Sequence, residues 1–262
     1  MRRIHKHELR GFLTLLAAAG IGLAPLAAQD RVIVPRADAR MRQAEEDYQR
    51  GLQAAEGIGG RRDYAAAARY YRKAAENGYI PAQYHLAYLY ENGFGVKQDF
   101  AEAAAWYRKA ADQGDAESQN NLGVLYSTGQ GVSLDDVEAV RLYRLAASQK
   151  DPEGITNLAS MRLKGRGVAR DPNQAFELYM KAAARGYSVA QTDLAIMYAN
   201  GDAGKPDHVK AYAWLDLAAA EISHASEVRD NLAKVMTSTQ LAQAWKFADQ
   251  KRREIAGKDG RR

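Results

Sequence analysis

Three short segments of this chain combine glycine, a basic or polar residue and aspartate, a pattern that can form a phosphate-binding loop. They read ENGFGVKQD at 91–99, STGQGVSLD at 127–135 and LKGRGVARD at 163–171. A P-loop follows a strand and carries Gly-Lys-Ser/Thr, and none of the three copies contains that ending. Recurrence of the pattern every 36 residues also argues against a single ligand loop. The segments therefore predict an architectural turn that is repeated along the chain.

The other side chains that could do chemistry form no catalytic or metal-binding pattern. After residue 28 the chain has three histidines, His85, His208 and His224, at different positions of the repeated period and without metal-ligand spacing. We interpret each as polar surface. The sequence has no cysteine, which excludes disulfides, thiol nucleophiles and thiolate metal sites. We therefore predict that the protein is not an enzyme and has no cofactor, metal or catalytic residue.

The first 28 residues have the outline of a secretory signal peptide. Four Arg/Lys and one Glu lie in the first ten residues, and the uncharged segment GFLTLLAAAGIGLAPLAA follows. Its apolar part, 11–26, is shorter than the roughly 20 residues that a membrane helix needs. We expect cleavage after Ala28 and a periplasmic or secreted protein, with an N-terminally membrane-anchored form as the alternative.

Removal of this leader leaves a chain that is close to neutral. The whole sequence has 37 Lys+Arg and 32 Asp+Glu, and the leader holds four and one of these, so 33 and 31 remain, a net charge of +2. Nucleic-acid binding proteins usually carry a strongly basic surface. We therefore expect no nucleic-acid partner, and contact with a membrane only through the leader or through a membrane-bound partner.

After the leader, several residue types recur every 36 positions in register. The clearest columns are Asp63, Asp99, Asp135, Asp171 and Asp207, then Ala67, Ala103, Ala139, Ala175 and Ala211, then the turn glycines Gly93, Gly129, Gly165 and Gly201. A fixed period of this length indicates supersecondary units that stack on one another.

Each column has a physical reason if every period is a hairpin of two helices. The aspartate caps the first helix, and Glu102 and Glu138 complete capping boxes three residues later. The first glycine of each Gly-x-Gly turn ends the second helix. The second glycine allows a chain reversal with positive φ.

These residues carry a resemblance to a known repeat. The segments DYAAAARYYRKAAENGYIPAQYHLAYLYENGFGV and DFAEAAAWYRKAADQGDAESQNNLGVLYSTGQGV are similar, nearly position for position, to the Sel-one-like repeat, a 36-residue relative of the tetratricopeptide repeat (TPR). The resemblance covers 63–206 in four copies, and an altered fifth copy follows residue 207. It implies a right-handed helical solenoid that binds other proteins, in a family whose members are often exported bacterial adaptors or regulators.

The predicted fold is all-α, a right-handed TPR-like α-solenoid of helical hairpins with a C-terminal capping helix. We expect a signal peptide at 1–28, a linker at 29–39, a lone helix and turn at 40–62, four repeats at 63–206, an altered fifth repeat with the capping helix at 207–256, and a disordered tail at 257–262. Thr237 or Ser238 is expected to cap the last helix. Its face against the core is predicted to contain Leu241, Trp245 and Ala248.

The function predicted from this pattern is an exported scaffold that binds a peptide or protein partner on the concave face of the solenoid. A periplasmic regulator of a membrane sensor kinase is the alternative, and an enzyme or cell-wall ligand binder is a further one. The sequence does not identify the partner or the oligomeric state.

The second helix of each hairpin is expected to line the concave face with an outward stripe at i, i+4, i+7 and i+8. The stripe consists of Tyr84, Tyr88, Glu91 and Asn92, then Asn120, Val124, Ser127 and Thr128, then Thr156, Ser160, Leu163 and Lys164, then Thr192, Ile196, Ala199 and Asn200. With one acid and one base, the stripe predicts a polar, nearly neutral groove for an extended peptide. Packing of Tyr84 and Tyr88 on the neighbouring hairpin is the alternative.

Overall fold

The computed structural model describes residues 36–259 except residue 203, and side chains within 38–257 with the same gap. This part of the chain is helical and contains no strand, which confirms the predicted all-α solenoid of repeated hairpins. The predicted signal peptide, most of the predicted linker and the last residues of the predicted tail lie outside the described residues. None of the described helices is both long and apolar enough to cross a membrane.

Five helical hairpins follow one another, with one helix before them and one after. The helices are α1 (Arg36–Glu56), α2 (Tyr64–Glu76), α3 (Ile80–Asn92), α4 (Phe100–Asp112), α5 (Ala116–Thr128), α6 (Asp136–Ser148), α7 (Pro152–Lys164), α8 (Pro172–Ala183), α9 (Ser188–Asn200), α10 (His208–Ala218), α11 (Ser223–Ala233) and α12 (Ser238–Asp259). The hairpins, numbered 1 to 5, are α2–α3, α4–α5, α6–α7, α8–α9 and α10–α11. Helix α1 begins within the range predicted as a linker, and α12 extends into the range predicted as a disordered tail.

The aspartate column caps the first helix of every hairpin. In hairpin 2, Oδ1 of Asp99 accepts hydrogen bonds from the N–H groups of Ala101 and Glu102, both at 3.0 Å. The predicted reciprocal half of the capping box is wrong, because the N–H of Asp99 donates to the carbonyl of Tyr90 at 3.0 Å. The same bond, nine residues back, recurs at Asp63, Asp135, Asp171 and Asp207. Each cap therefore also fastens the start of one hairpin to the end of the preceding helix.

Both glycines of the repeated turn have positive φ, as predicted. Gly129 ends α5 with φ +69°, and its N–H donates to the carbonyl of Leu125. Gly131 has φ +71°, and a Cβ built there lies 2.2 Å from the carbonyl carbon of Phe100 at the start of α4. Gly95 and Gly167 approach Tyr64 and Asp136 equally closely. The second glycine is thus required for two reasons: it adopts a positive φ, and it allows the turn to contact the backbone of the preceding hairpin.

The alanine columns and a column of tyrosines form the core. Tyr71, Tyr107, Tyr143 and Tyr179 are each at most 2 % exposed. The ring of Tyr143 occupies the space next to Gly123, where a Cβ would lie 2.7 Å from a ring carbon. The absence of a side chain at Gly123 therefore accommodates the aromatic ring of the next hairpin.

The last helix covers the outer side of α10. Ala213 is fully buried in α10, whereas its counterparts in the four earlier hairpins are exposed. Trp214 packs edge-on against Phe247 of α12, with ring centroids 6.4 Å apart. Thr237 caps α12, since its Oγ1 accepts the N–H of Gln240 at 3.2 Å and its own N–H donates to the Gln240 side chain at 2.9 Å.

One predicted contact of α12 is wrong. Trp245 is 55 % exposed, and Ala244 takes the fully buried place beside it. The Trp245 ring N–H still lies 3.3 Å from the hydroxyl of Tyr212. The other two predicted residues, Leu241 and Ala248, do face the core, so only Trp245 departs from the predicted face.

Candidate functional site

The second helices of hairpins 1 to 4 carry the predicted binding stripe. Helix α5, for example, contacts α4, α6 and also α7, the second helix of the next hairpin. Direct contact between successive second helices decides which of their side chains remain accessible. We use the name second-helix face for the surface formed by Tyr84, Tyr88, Glu117, Asn121, Glu153, Asn157, Ser160, Asp193 and Ile196.

Asn120 belongs to the seam between two second helices and is 2 % exposed. Its Nδ2 donates to Oε2 of Glu153 at 3.0 Å, and its Oδ1 accepts from Nδ2 of Asn157 at 2.7 Å. The prediction that Asn120 lies on the outward stripe is wrong. Its amide is used to join α5 to α7, so it stabilises the stack from inside.

The threonines at the equivalent positions are also buried. Thr156 is 5 % exposed and Thr192 is 8 % exposed. Their hydroxyls donate to the carbonyls four residues back, those of Pro152 at 2.7 Å and Ser188 at 2.9 Å. The predicted exposure of these two residues is also wrong. The residues one position later, Asn121, Asn157 and Asp193, are the partly exposed ones.

Tyr84 is a packing residue with a bound hydroxyl. Its ring meets the ring of His85 edge-on at 5.3 Å and lies 5.9 Å from the ring of Tyr107. Burial raises the pKa of Tyr84, and a hydrogen bond to the Glu117 carboxylate raises it further. The packing alternative therefore describes Tyr84, although the bond to Glu117 brings one edge of the ring to the second-helix face.

Tyr88 is partly exposed and packs on Phe94 of the following turn, with ring centroids 6.1 Å apart. Val124 is also partly exposed, and Ile196 is 40 % exposed. Ser160 is partly buried, and its side chain makes a hydrogen bond with Tyr179. These four predicted residues remain at the surface.

The predicted residues at the ends of the second helices are exposed and mostly complete their own helix. Asn92 Nδ2 donates to the carbonyl of Tyr88 at 2.9 Å, and Thr128 Oγ1 donates to that of Val124 at 2.8 Å. The other members at helix ends are Lys164, which is exposed, and Asn200, whose Nδ2 lies 3.3 Å from Oδ2 of Asp202.

His85 is not the polar surface residue that the sequence predicted. Its imidazole stacks on Tyr71 at 5.2 Å and also lies 5.6 Å from Tyr48, counting between ring centroids. Burial lowers the pKa of His85 to about 4, and the nearby charge of Asp115 opposes this shift only in part. The imidazole is therefore neutral at pH 7 and behaves as one more ring in the aromatic packing between α1 and hairpin 1.

The second-helix face is acidic, and the predicted near-neutral groove is wrong. Glu117 and Glu153 lie on successive second helices, and neither forms an ion pair with a Lys or Arg of the described chain. Partial desolvation raises the pKa of Glu117, as do the charges of Asp115 and Glu153. Burial likewise raises the pKa of Asp193, while the charge of Lys164 opposes it. A positively charged group would find this surface favourable.

Metal binding has no support in this geometry. Within 38–257, apart from residue 203, no group of three or more His, Cys, Asp or Glu side chains is arranged to hold a metal ion. The chemistry available on the face is hydrogen bonding, charge attraction and contact with tyrosine rings.

The repeat itself matches a known family model. The model of the Sel1 repeat matches five successive segments, at 48–79, 80–115, 116–151, 152–187 and 188–221. The chain belongs to the Sel1 repeat family. Most matched segments join a second helix to the first helix of the next hairpin, which is a different phase of the same 36-residue period. Sel1 repeat proteins generally mediate protein–protein interaction and are typically non-catalytic scaffolds.

Two solved structures of Sel1 repeat proteins resemble this chain. One is a protective antigen of uropathogenic Escherichia coli strains that displays an SLR fold, with 33 % identity and a TM-score of 0.76, covering 82 % of this chain and 46 % of that one. The other is a Sel1 repeat protein from Oxalobacter formigenes, with 29 % identity and a TM-score of 0.71, covering 81 % of this chain and 88 % of that one. The chain thus spans less than half of the E. coli protein. No curated protein matches it.

Sequence reasoning missed the acids of this Sel1 array because it began the outward stripe at Asn120 and Thr156, one helical turn after Glu117 and Glu153. Glu117 and Glu153 precede the predicted stripe by one helical turn, in the segments DAESQNN and DPEGITN. A column-by-column comparison of the first turns of the second helices would have found them. The same position is Pro81 in hairpin 1 and Val189 in hairpin 4, so the two acids stand out in that column.

Proposed function

We propose that this Sel1 repeat protein is a binding scaffold whose second-helix face, the predicted concave face, holds an extended segment of a protein partner. The observation that carries the proposal is the pair of carboxylates, Glu117 and Glu153, on adjacent second helices without ion-pair partners in the described chain. Asn120 holds Glu153 in place through a 3.0 Å hydrogen bond, and Tyr84 bonds Glu117. The carboxylates are thus oriented before a partner arrives.

The chemistry of these groups favours a partner segment that carries Lys or Arg. Two like charges in a partly desolvated site repel each other, and a cation relieves that repulsion while donating charge-assisted hydrogen bonds. Tyr88 and Ile196 offer apolar contact at two places on the same face. Specificity would come from the amides of Asn121 and Asn157, which can pair with a peptide backbone.

Export is the second part of the proposal. The basic and apolar leader supports cleavage after Ala28 and a periplasmic location, where the exported domain of a membrane sensor kinase is one accessible class of partner. Sequencing of the mature N-terminus tests this directly. A chain that begins at Gln29 supports export with cleavage, and retention of residues 1–28 in the membrane fraction supports an anchor instead.

A random peptide library displayed against the purified protein tests the binding surface. We expect enriched peptides to contain Lys or Arg, and we expect the variant Glu117→Gln with Glu153→Gln to weaken their binding about tenfold, or about 1.4 kcal/mol, without a lower melting temperature. Glu177→Gln is the matched control, since it removes an exposed carboxylate from α8, a first helix. Enrichment of peptides that bind the double variant equally well would place the binding surface elsewhere.

A further inference from the structure

Glutamines, two of them buried (Gln83 and Gln119), join successive hairpins at the end where the first helix turns into the second. Nε2 of Gln83 donates to the carbonyl of Ala75 at 3.2 Å, and Nε2 of Gln113 donates to Oε1 of Gln83 at 2.8 Å. Gln119 and Gln149 repeat both bonds one hairpin later, to the carbonyl of Ala111 at 3.1 Å and to Oε1 of Gln119 at 2.9 Å. We call these four residues the glutamine ladder.

The ladder is interrupted between hairpins 3 and 4. Ile155 stands where Gln83 and Gln119 stand in the earlier hairpins, and Arg185 stands where Gln113 and Gln149 do. Isoleucine and arginine cannot form the hydrogen bond that joins two glutamine side chains at the earlier junctions. Gln191 of hairpin 4 again donates to the carbonyl of Ala183, at 3.2 Å, whereas Glu221, at the position of the second glutamine, accepts a hydrogen bond from Ser188.

A third departure from the repeat occurs at the same place. Lys150 has φ +67° and is the one non-glycine residue with positive φ in the described chain, whereas Gly78, Gly114 and Gly186 fill its position elsewhere. A side chain in this conformation costs about 1–2 kcal/mol relative to its normal backbone region. Residues kept in such conformations often serve binding. The guanidinium of Arg185 donates a hydrogen bond to the carbonyl of Lys150, which ties the two departures together.

A cleft of about 680 Å³, open to solvent, lies between α6, α7 and α8 at this junction. The floor is apolar and the rim is basic: Ile155, Leu178 and Met180 form the floor, and Lys150, Lys181 and Arg185 form the rim. No acid is among the lining residues of this cleft. The neighbouring Asp151 is engaged as the cap of α7, where it accepts the N–H of Gly154 at 2.6 Å.

The geometry points to a binding site for a small amphipathic carboxylate in this cleft. The apolar part of the ligand lies on Ile155, Leu178 and Met180, where it removes apolar surface from water. The carboxylate is held at the rim, where the planar guanidinium of Arg185 can donate two parallel hydrogen bonds. A polyhydroxylated ligand such as a sugar would leave its hydroxyls unpaired over that floor. The site lies at the turn between α6 and α7 and at the end of α8, and none of its lining residues belongs to the second-helix face.

Octanoate is the probe, and a variant that restores the ladder is the test. The variant Lys150→Gly, Ile155→Gln and Arg185→Gln places at this junction the residue types that the chain already uses at the two earlier junctions. It should therefore fold, and its melting temperature reports that it does. In NMR titrations of the wild-type protein we expect octanoate to shift amide signals of α6, α7 and α8, and we expect the variant to bind at least about tenfold more weakly.

Two further binding measurements test the role of the carboxylate and of the basic rim separately. Octan-1-ol, which lacks the carboxylate, should bind the wild-type protein more weakly than octanoate does. Lys181→Gln changes an exposed rim residue outside the ladder and should weaken octanoate binding by itself. Equal affinity of octanoate for the wild type and the ladder-restoring variant would overturn the proposal, as would equal affinity for octanol and octanoate or shifts confined to other helices.

Discussion

The second glycine of each turn offers a direct test of how successive hairpins are held together. Gly129 and Gly131 lie in one turn and have nearly equal φ values of +69° and +71°. A Cβ at Gly129 would approach the Leu134 side chain at 3.3 Å, whereas a Cβ at Gly131 would lie 2.2 Å from the Phe100 backbone. Alanine at the two positions therefore suffers the same backbone strain but very different crowding.

The expected magnitudes follow from this difference. Left-handed backbone costs an L-residue about 1–2 kcal/mol, so Gly129→Ala should lower the free energy of unfolding by that amount. The nearest atom, the Cβ of Leu134, then needs to shift by only a few tenths of an ångström. Gly131→Ala adds overpacking against the first turn of α4, which typically costs about 1–3 kcal/mol. Its total cost should therefore be about 2–5 kcal/mol.

Urea unfolding followed by circular dichroism measures both variants. Because repeat arrays can unfold in parts, hydrogen exchange of the amides in α4 and α5 should be measured as well. In Gly131→Ala we expect the loss of amide protection to be concentrated in these two helices. If the two alanine variants lose the same free energy within about 0.5 kcal/mol, the close approach of the turn to α4 does not contribute and the reasoning fails.

Three further outcomes are expected. Leu122→Ala, at a site 2 % exposed, should lower the free energy of unfolding by about 2–5 kcal/mol, and a loss below 1 kcal/mol would contradict its place in the core. Lys150→Gly should raise it by about 1 kcal/mol by relieving the positive φ, and calorimetry that finds destabilisation would show that the lysine has a structural role. The pKa of His85 is lowered to about 4 from 6.5, so the neutral imidazole's contribution is complete above pH 6.5 and is lost as the pH falls towards 4. The free energy of unfolding of wild type relative to His85→Phe should fall by up to about 3 kcal/mol over that window, and an NMR titration of His85 with a midpoint near 6.5 would refute the shift.

The hairpins could be predicted from the sequence because local rules fix them. An aspartate before a helix, a glycine after it and a constant period each act within a few residues of the chain. Asp99 and Gly129 do what such residues do in any helical hairpin. The exposure of Trp245 could not be derived in this way, since it depends on the helix that α12 covers. Ala213 shows that helix to be α10, but alanine is common on every face of this chain.

The candidate site was harder to predict because it depends on which side of each second helix is turned towards the next hairpin. The prediction placed Asn120 outward, but contact between α5 and α7 turns it into the seam. A shift of one residue moves a side chain by about 100° around a helix, which is enough to exchange a buried column for an exposed one. The repeat period fixes where each helix lies along the chain and leaves this rotation to packing between hairpins.

Because the hairpins repeat, each residue of this protein can be compared with the residues at the same position in the other hairpins. A residue that every hairpin shares is explained by stacking, whereas a residue that departs from its column and costs stability requires another reason. Lys150 is such a departure on the turn side, and the unpaired acids Glu117 and Glu153 are another on the second-helix face. The two sets share no residue, although Glu153 lies between Lys150 and Ile155 in the sequence. We therefore expect the ladder-restoring variant to retain peptide binding and the Glu→Gln pair to retain octanoate binding. Coupling between them would mean that one ligand-dependent arrangement of hairpins 2 to 4 controls both surfaces.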